Sequence, residues 1–448
     1  MNKKLVVIGG DAAGMSAASK VRREQPGTEI VVFERGPHTS YAACGIPYYI
    51  GKLVDSPGSL VAREPEEFRK KYNIDVRILH EVVKIDPSCK TVSVRDLLSG
   101  REFDESWDQL LIATGAVPVK PAVEGIDTTG VFTLSTLQSG LDLFEYIEKF
   151  SPQKALVAGG GYIGIEMAEV LLERGMKVTL ADMAPQVMVT LDDDMAMLVS
   201  GFMEKEGVIL YLGEKVSGID KGESGRVSRV VTTQRTIETD LVVLGTGVRP
   251  NSSLAGKAGI KLGAANAISV DKRQRTSADN IWAAGDCAES FHLVKRQQVF
   301  VPLGTVANKQ GLVAGINISG GEIEFPGVLG TAITRFREME ISRTGLSEKE
   351  AKEMRIKYRV KKIDSSTISH YFPGAGKITV KLVAEDSTGR LLGGQIAGMT
   401  GAGKRIDTIA AAITAKMTAQ QLMDLDLSYA PPFSPVWDPV QIAARTLI

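Results

Sequence analysis

The chain has 448 residues, of which 44% are hydrophobic and 24% charged, and its 53 basic side chains balance 53 acidic ones. This length predicts two to four domains of roughly 100 to 200 residues, and the balanced charge argues against a general nucleic-acid or anionic-membrane surface. The three cysteines are widely spaced and no apolar run could cross a membrane, so we expect a cytoplasmic protein without a metal site.

The chain opens with the pattern of a strand, a glycine-rich turn, a helix and a second strand. Apolar Leu5–Ile8 leads into the turn Gly9–Gly14, and the second strand ends at Glu34. Such a turn lets backbone N–H groups and a helix N-terminus approach a pyrophosphate. Glu34 lies where a dinucleotide site places its ribose-binding acid, although Asp11 replaces the middle glycine of the fingerprint.

The same pattern recurs from Lys154. The turn 159–164 reads Gly-Gly-Gly-Tyr-Ile-Gly and matches the fingerprint fully, with Asp182 at the end of the next strand. Two such motifs, each with its acid, predict two dinucleotide sites. No arginine adjoins Asp182 to accept a 2'-phosphate, so NADH is favoured and NADPH stays open.

Each dinucleotide unit is completed by a later apolar strand, and a different unit follows. Leu110–Ala113 precedes Thr114-Gly115, and Leu241–Leu244 precedes Gly245-Thr246-Gly247. From about Leu329 the glycine motifs stop, and a hairpin is predicted over 377–397. An amphipathic helix with Ile406 to Met417 on one face and a capping box at Thr418 should follow.

The order of these motifs resembles that of the FAD-dependent pyridine nucleotide-disulfide oxidoreductases over essentially the whole chain. Thr276–Asp286 looks like the segment that completes the flavin site, and Pro302–Gly304 like the start of a flavin-facing helix. The resemblance implies an α/β protein with two Rossmann-like domains, the NAD(P)H domain inserted in the FAD domain, and a C-terminal α+β dimerisation domain. The implied boundaries are 1–118 and 249–327 for FAD, 119–248 for NAD(P)H and 328–448 for dimerisation.

The resemblance also implies two sets of nucleotide-binding residues. The set for FAD is Gly9, Gly10, Ala12, Ala13, Gly14, Glu34, Arg35, Ala113, Thr114, Gly115, Gly285, Asp286, Pro302, Leu303, Gly304 and Ala307. The set for NAD(P)H is Gly159, Gly161, Tyr162, Ile163, Gly164, Glu166, Asp182, Gly245, Thr246 and Gly247.

One cysteine stands out as the redox-active group. Cys44 follows the first dinucleotide unit, and Pro47 suits the first turn of a helix, so a helix dipole should lower the pKa of the thiol. Cys89 and Cys287 are interpreted as structural, buried cysteines. No second cysteine occupies a CxxC or CxxxxC position, which excludes dithiol chemistry and predicts a mixed disulfide or a sulfenic acid on Cys44.

The single-cysteine branch of the family contains NADH peroxidases, NADH oxidases and coenzyme A-disulfide or persulfide reductases. Ala12 stands where the peroxidases and water-forming oxidases carry a histidine, which disfavours oxygen chemistry. The segments 370–374 and 428–439 closely resemble motifs of the coenzyme A-disulfide reductases. The resemblance implies a homodimer in which Tyr371 and Tyr429 reach the partner subunit's cysteine as acids or hydrogen-bond donors.

The sequence therefore predicts an NAD(P)H-dependent reductase of coenzyme A disulfide, coenzyme A persulfide or polysulfide, with coenzyme A as substrate or ligand. Two alternatives stay open: an NADH oxidase that reduces O₂ at the flavin, and a flavoprotein redox sensor or protein electron donor. Because the chain ends at Ile448, we expect no fused rhodanese domain. The residues expected to contact coenzyme A are Lys20, Arg23, Ser40, Arg63 and Lys71.

Overall fold

The structure is a computed structural model that describes residues 3–448. Its first segment contains strands β1 (Lys4–Ile8), β2 (Glu29–Phe33), β3 (Asp75–Arg77), β4 (His80–Asp86), β5 (Thr91–Asp96), β6 (Glu102–Ser106), β7 (Gln109–Ile112) and β8 (Ala116–Pro118), with helices α1 (Ala12–Glu24), α2 (Ile46–Ile50) and α3 (Pro65–Tyr72).

A second segment contains strands β9 (Val131–Thr133), β10 (Lys154–Ala158), β11 (Lys177–Asp182), β12 (Ile209–Leu212), β13 (Val216–Lys221), β14 (Val227–Thr232), β15 (Thr236–Glu238) and β16 (Leu241–Leu244), with helices α4 (Leu137–Phe150), α5 (Tyr162–Glu173) and α6 (Asp193–Lys205). The chain then returns to the first unit through β17 (Val248–Pro250), α7 (Ser253–Lys257), β18 (Ile281–Ala283), β19 (Ser290–His292), β20 (Gln297–Val299) and α8 (Gly304–Ile318).

Two five-stranded sheets form the dinucleotide units, in the orders β18-β7-β1-β2-β3 and β12-β11-β10-β16-β9. Their strands are parallel and carry continuous buried runs, such as Leu5–Ile8 in β1, because both faces are covered. Helices cover one face of each sheet, and a three-stranded antiparallel sheet covers the other, β4-β5-β6 in the first unit and β13-β14-β15 in the second. β8 pairs antiparallel with β17 where the chain leaves the first unit and re-enters it. The second unit is thus inserted in the first, as predicted.

The two parts of the first unit are joined by close packing of α1 against α8. A Cβ added to Gly311 would lie 2.3 Å from the carbonyl oxygen of Ala13, and one added to Gly315 would lie 2.8 Å from that of Ala17. Only glycine permits this backbone approach. The helix α8, which the sequence predicts from Gly304, therefore completes the core beneath the first glycine turn.

The last unit is a five-stranded antiparallel sheet in the order β21-β22-β25-β24-β23, covered by helices. Its elements are β21 (Ala332–Phe336), β22 (Met339–Gly345), β23 (Tyr358–Ser366), β24 (Lys377–Glu385), β25 (Leu391–Gly398), α9 (Glu348–Glu353), α10 (Ile406–Thr414), α11 (Ala419–Met423) and α12 (Pro439–Arg445). The predicted hairpin is β24-β25, and Thr418 and Gln421 form the predicted capping box. Helix α10 ends before Met417, so that residue is not on the helical face assigned to it.

The expected burial of the two structural cysteines holds for one of them. Cys287 is fully buried, whereas Cys89 is exposed in the turn between β4 and β5. The Asp86 carboxylate accepts the amide of Cys89 at 3.0 Å, which closes that turn. The prediction of a buried strand position for Cys89 is therefore wrong.

Candidate active site

The first glycine turn closes around backbone atoms. Gly9 has φ +106°, and a Cβ on it would lie 2.1 Å from the carbonyl oxygen of Ala113, so no other residue fits. A Cβ on Gly14 would lie 2.0 Å from the carbonyl oxygen of Gly9. The amide of Gly10 donates to Glu34 Oε2 at 2.8 Å, which holds the acid beside the turn. Ala12 and Ala13 begin α1 directly after this turn.

A cavity of about 340 Å³ opens beside this acid. It is lined by Gly9, Glu34, Arg35 and Thr114 of the predicted FAD set. Burial raises the pKa of Glu34, although the Gly10 and Gly36 amides favour its charged form. The buried Glu34 carboxylate at the end of β2 could therefore accept a hydrogen bond from a ribose hydroxyl.

The residues around Asp286 fit a bound FAD. Among the residues that the structure describes, Asp286 Oδ1 is buried without a hydrogen-bond partner, and burial raises the pKa of this carboxyl group to about 6. A buried acceptor without a donor is costly, and a ribityl hydroxyl would satisfy it. The preceding Gly285 has φ +82° and donates its amide to Gln310 at 2.8 Å.

The remaining residues of the predicted FAD set lie near this loop. Leu303 is the N-cap of α8, Gly304 begins the helix after Pro302, and Ala307 is buried against the Gly285 position. Gly115 has φ +68° with open space around its Cα. The structure thus brings the set to the carboxyl ends of β1, β2, β7 and β18 and to the start of α8, while the individual roles stay predictions.

The second glycine turn repeats this construction in the inserted unit. Gly159 has φ +110°, and a Cβ on it would lie 2.4 Å from the carbonyl oxygen of Gly245. A Cβ on Gly164 would lie 1.8 Å from the carbonyl oxygen of Gly159. Asp182 accepts the Gly160 amide at 2.5 Å and the Ala184 amide at 2.8 Å. We call this turn, with Asp182, the second cradle.

Room for a ligand remains at the second cradle. A Cβ added to Gly161 or to Gly247 would meet no atom within 4 Å, and Thr246 is tied by its hydroxyl to Val119. Tyr162 and Ile163 begin helix α5 and are partly buried. Among residues 3–448 no cation pairs with Asp182, and the preference for NADH stays a prediction.

Glu166 connects the second cradle to the last unit. It lies on α5 one turn after Tyr162, and its Oε1 accepts a hydrogen bond from Thr334 of β21 at 2.8 Å. Burial raises the pKa of Glu166, and the Thr334 hydroxyl lowers it in part. The predicted nicotinamide-facing carboxylate is therefore fixed by a side chain that lies far away in sequence.

Cys44 lies between the two nucleotide sites. It is exposed in the 3₁₀ turn Ala43–Gly45 directly before α2, in which Pro47 occupies the first turn as predicted. Although the residue is exposed to solvent, the protein atoms around the sulfur partly bury it, and this burial raises the pKa of the thiol. The negative charges of Glu166, Asp286 and Asp11 raise the pKa further. The expectation of a lowered pKa is therefore wrong for the protein alone, because desolvation of the thiol and the nearby carboxylates together outweigh the short helix.

The same electrostatic contacts place the thiol close to both nucleotide units. Glu166 belongs to helix α5, which follows the second cradle, and Asp286 belongs to the loop that completes the first site. A sulfur atom in this position can exchange electrons with a group held between the two units. This arrangement could not be derived from local sequence.

The segment before Cys44 is tied to the first glycine turn by contacts that the sequence did not reveal. The Ser40 amide donates to the Gly10 carbonyl oxygen at 3.0 Å, the buried Thr39 hydroxyl donates to the same oxygen, and the Tyr41 amide donates to Asp11 Oδ1 at 3.2 Å. Burial raises the pKa of Asp11 to about 6. Asp11, which breaks the glycine fingerprint, thus acts as an anchor for the cysteine segment.

A second cavity, of about 410 Å³, lies on the other side of this segment. Arg23, Ser40 and Arg63 of the predicted coenzyme A set line it together with Ala12 and Asn308. Lys20 pairs with Glu24 and Lys71 pairs with Glu67 at 3.2 Å, and neither lysine lines the cavity. Three of the five predicted residues are therefore brought together and two are not.

The two tyrosine segments lie side by side on the last unit. Directly before the first segment, the Ser369 amide donates to the Pro431 carbonyl oxygen of the second at 3.1 Å. Arg405 donates to the carbonyl oxygens of Thr367 at 2.7 Å and Phe433 at 3.0 Å. Tyr371 and Tyr429 are 67% and 46% exposed. In the described residues no side-chain hydrogen bond joins either tyrosine to the Cys44 segment of its own chain.

The described residues contain neither a metal-binding cluster nor a membrane-spanning helix. No group of three or more histidine, cysteine, aspartate or glutamate side chains in residues 3–448 could hold a metal ion. No helix in the same range has the length and apolar character that a membrane crossing needs.

Comparison with known proteins identifies the family. Residues 3–311 match the family described as pyridine nucleotide-disulphide oxidoreductase, and residues 331–439 match the dimerisation domain of the same family. The chain belongs to this family. The predicted family, α/β fold and use of FAD and NAD(P)H are therefore confirmed, and the chain is an oxidoreductase.

Three relatives of this oxidoreductase illustrate the activities within the family. The NAD(P)H coenzyme A polysulfide/persulfide reductase of Pyrococcus horikoshii is 42% identical over 100% of the chain and 99% of its own length. An NADH oxidase of Methanocaldococcus jannaschii is 37% identical over 99% and 98%. The solved structure of an NAD-dependent persulfide reductase from A. fulgidus is 41% identical, covers 99% of this chain and 82% of its own, and superposes with a TM-score of 0.95.

Proposed function

We propose that the chain reduces the sulfur–sulfur bond of a coenzyme A persulfide, coenzyme A disulfide or polysulfide with NAD(P)H, through the single thiol of Cys44. With coenzyme A persulfide, one hydride from NADH and one proton break the S–S bond and give the coenzyme A thiol and hydrogen sulfide. FAD, when bound, supplies a two-electron carrier between the nicotinamide and the sulfur of Cys44.

The observation that carries this proposal is that the Cys44 thiol lies within electrostatic reach of Glu166 in one dinucleotide unit and of Asp286 in the other. Thiolate Cys44 attacks one sulfur of the substrate, forms a mixed disulfide and releases the other sulfur with a proton. Because the carboxylates hold the thiol pKa high, the bound cofactors and substrate must favour the thiolate at the moment of attack.

The cavity beside Ser40 supports coenzyme A as the carrier of the substrate sulfur. Its two arginines, Arg23 and Arg63, have the donor geometry that phosphate oxygens bind, and Ser40 lies four residues before the thiol. We expect the phosphates of coenzyme A to bind these arginines while the thiol end points toward Cys44. Lys20 and Lys71 do not line this cavity, and we do not include them in the proposed phosphate site.

A homodimer would complete the site. The matched dimerisation domain contains Tyr371, and the exposed apolar residues Phe433, Val436 and Trp437 lie with Tyr429 in the second tyrosine segment. Apolar and aromatic side chains of this kind are typical of a subunit interface. We propose that the two tyrosines donate hydrogen bonds to the thiolate that leaves the partner subunit's cysteine, in a cytoplasmic enzyme.

An NADH oxidase is the second candidate, because one relative carries that name. Ala12 occupies the position at which the peroxidases and water-forming oxidases carry a histidine. Its side chain cannot donate or accept a proton, and it lines the cavity with Ser40 and Arg63. The absence of an acid-base side chain at this position favours sulfur over oxygen as the acceptor. A redox sensor or protein electron donor would not need the cavity lined by Arg23, Ser40 and Arg63.

The deciding experiment replaces Cys44 with serine. We expect Cys44→Ser to keep the visible absorbance of bound FAD and to lose NADH-dependent release of sulfide from coenzyme A persulfide. Cys89→Ser is the matched control, because Cys89 lies exposed in a distant turn and should not affect turnover. Unchanged persulfide reduction by Cys44→Ser would refute the thiol route, and a larger kcat/KM for O₂ than for persulfide would favour the oxidase.

A further inference from the structure

Four polar side chains form one row across the sheet of the last unit. Arg343 on β22 is the cross-strand partner of Gln395 on β25, which is the partner of Lys381 on β24, which is the partner of Lys362 on β23. We call these four residues the polar row. Its first three members are 8%, 1% and 4% exposed, so each needs a buried partner.

Each member of the polar row contacts the segment Thr190–Asp194 of the inserted unit, while Lys381 also contacts Glu348 at 2.8 Å and Arg343 also contacts Glu350 at 2.9 Å within the last unit. Lys381 Nζ contacts Asp192 at 3.1 Å and Asp194 at 2.8 Å, and Gln395 both donates to the Asp192 carboxylate at 2.6 Å and accepts the Asp192 amide at 2.8 Å. Arg343 donates to the Thr190 carbonyl oxygen at 2.6 Å. Lys362, at the partly exposed end, reaches only Asp194, at 3.0 Å.

The segment that the polar row holds also packs against the second cradle. Residues 183–192 follow Asp182, and the Met188 amide donates to the Gly160 carbonyl oxygen at 2.7 Å. Val187 packs so closely that a Cβ on Gly160 would lie 3.1 Å from it, and the side chain of Thr190 adjoins Tyr162. One segment therefore contacts the glycine turn at one end and the C-terminal sheet at the other.

We infer that the polar row preorganises the second cradle, so that the C-terminal sheet sets the affinity of the enzyme for NADH. The inference rests on the proposed binding of NADH to this cradle. Immobilising 183–192 before the nucleotide arrives removes an ordering cost from binding. The polar row thus acts on the nucleotide indirectly. Its buried members hold the segment beside the second cradle and do not contact the nucleotide themselves; they are Lys381, Gln395 and Arg343.

The test replaces Lys381 in the FAD-loaded enzyme and measures NADH affinity directly. For Lys381→Met we expect the KM for NADH and the dissociation constant of NAD⁺ to rise about tenfold, within the range of ordinary coupling between sites. The values of kcat and of KM for the sulfur acceptor should stay within about twofold of wild type, since the row is remote from Cys44. Lys381→Arg should restore most of the NADH affinity.

Lys362→Met is the matched control, because it removes the same charge from the exposed end of the row, where an ion pair contributes little. If Lys381→Met proves unstable, Gln395→Leu tests the same contact to Asp192 without removing a charge. A folded Lys381→Met or Gln395→Leu enzyme that binds NAD⁺ as tightly as wild type would overturn the inference. NAD⁺ binding needs no sulfur substrate, so this result is distinguishable from failure of the proposed reaction.

Discussion

The carboxylate of Glu166 lies within electrostatic reach of the Cys44 thiol, whose pKa is raised first by burial and then by this charge. The two residues belong to different dinucleotide units, so their proximity joins the predicted nicotinamide site to the nucleophile. A change of charge in one unit should therefore alter the reactivity of the sulfur in the other.

Replacing Glu166 with glutamine should lower the pKa of the Cys44 thiol. The negative charge disfavours the thiolate, so its removal stabilises the thiolate and shifts alkylation toward lower pH. The measurement is the rate of iodoacetamide alkylation of Cys44 against pH in the oxidised, FAD-bound enzyme. Glu173→Gln, at the exposed end of the same helix, is the control, and identical pH profiles for both variants would contradict the prediction.

Replacing Asp182 with asparagine should shift the coenzyme preference toward NADPH. The aspartate repels a 2'-phosphate, and asparagine keeps a carbonyl oxygen for the Gly160 amide. We expect the ratio of kcat/KM for NADPH to that for NADH to rise about tenfold, which corresponds to about 1.4 kcal/mol. Glu34→Gln, the equivalent change in the first turn, should weaken FAD retention and leave that ratio unchanged.

Removing the arginine side chain of Arg63 should weaken the binding of coenzyme A substrates. A charge-assisted hydrogen bond to phosphate contributes about 1.5 to 3 kcal/mol, so Arg63→Ala should raise the KM for coenzyme A persulfide about tenfold or more. The KM for NADH should not change. Lys71→Ala is the control, because Lys71 lies outside the cavity and pairs with Glu67; an equal effect of both variants would place the substrate elsewhere.

Replacing Asp286 with asparagine should stabilise the apoprotein and weaken FAD binding. The pKa of Asp286 is raised from 3.8 to about 6 in the fold, so the contribution of this group to stability is present below pH 4 and is lost as pH rises through 6. At pH 7 the cost is about 3 kcal/mol at most. Urea unfolding of the two apoproteins should show a difference that grows between pH 4 and 6; a difference independent of pH would contradict the assignment.

Mixed dimers should distinguish an active site that is shared between two subunits from one that lies within a single chain. A chain with Cys44→Ser and a chain with Tyr371→Phe and Tyr429→Phe should each have little persulfide reductase activity as homodimers. If the tyrosines serve the partner's cysteine, the mixed dimer contains one complete site and regains about half of the wild-type rate. Recovery of no activity after confirmed subunit exchange would place cysteine and tyrosines in the same chain.

The sequence was most informative where function constrains the backbone. The two glycine turns and their acids could be predicted because a pyrophosphate requires glycine at fixed spacing. Lys20 and Lys71, which were predicted to contact coenzyme A, do not line the cavity with the other three residues. Their spacing of four residues from Glu24 and Glu67 already indicated helix-surface ion pairs.

The environment of Cys44 could not be predicted in the same way. Its pKa depends on burial and on the charges of Asp11, Glu166 and Asp286, which lie far apart in sequence and meet only in the fold. The polar row is hidden for a related reason. Its four members are ordinary polar residues until the strand register places them side by side.

The close packing of α1 against α8 at Gly311 and Gly315 has a consequence for synthesis on the ribosome. The inserted unit has all strands of its sheet once residue 244 has emerged, whereas β1 and α1 wait for β18 and α8 before their own unit is complete. The unit that begins the polypeptide is thus finished after the unit that interrupts it. Until α8 has been synthesised, the face of α1 that packs against it stays exposed to solvent. We therefore expect a chaperone to bind the nascent N-terminal segment during this interval.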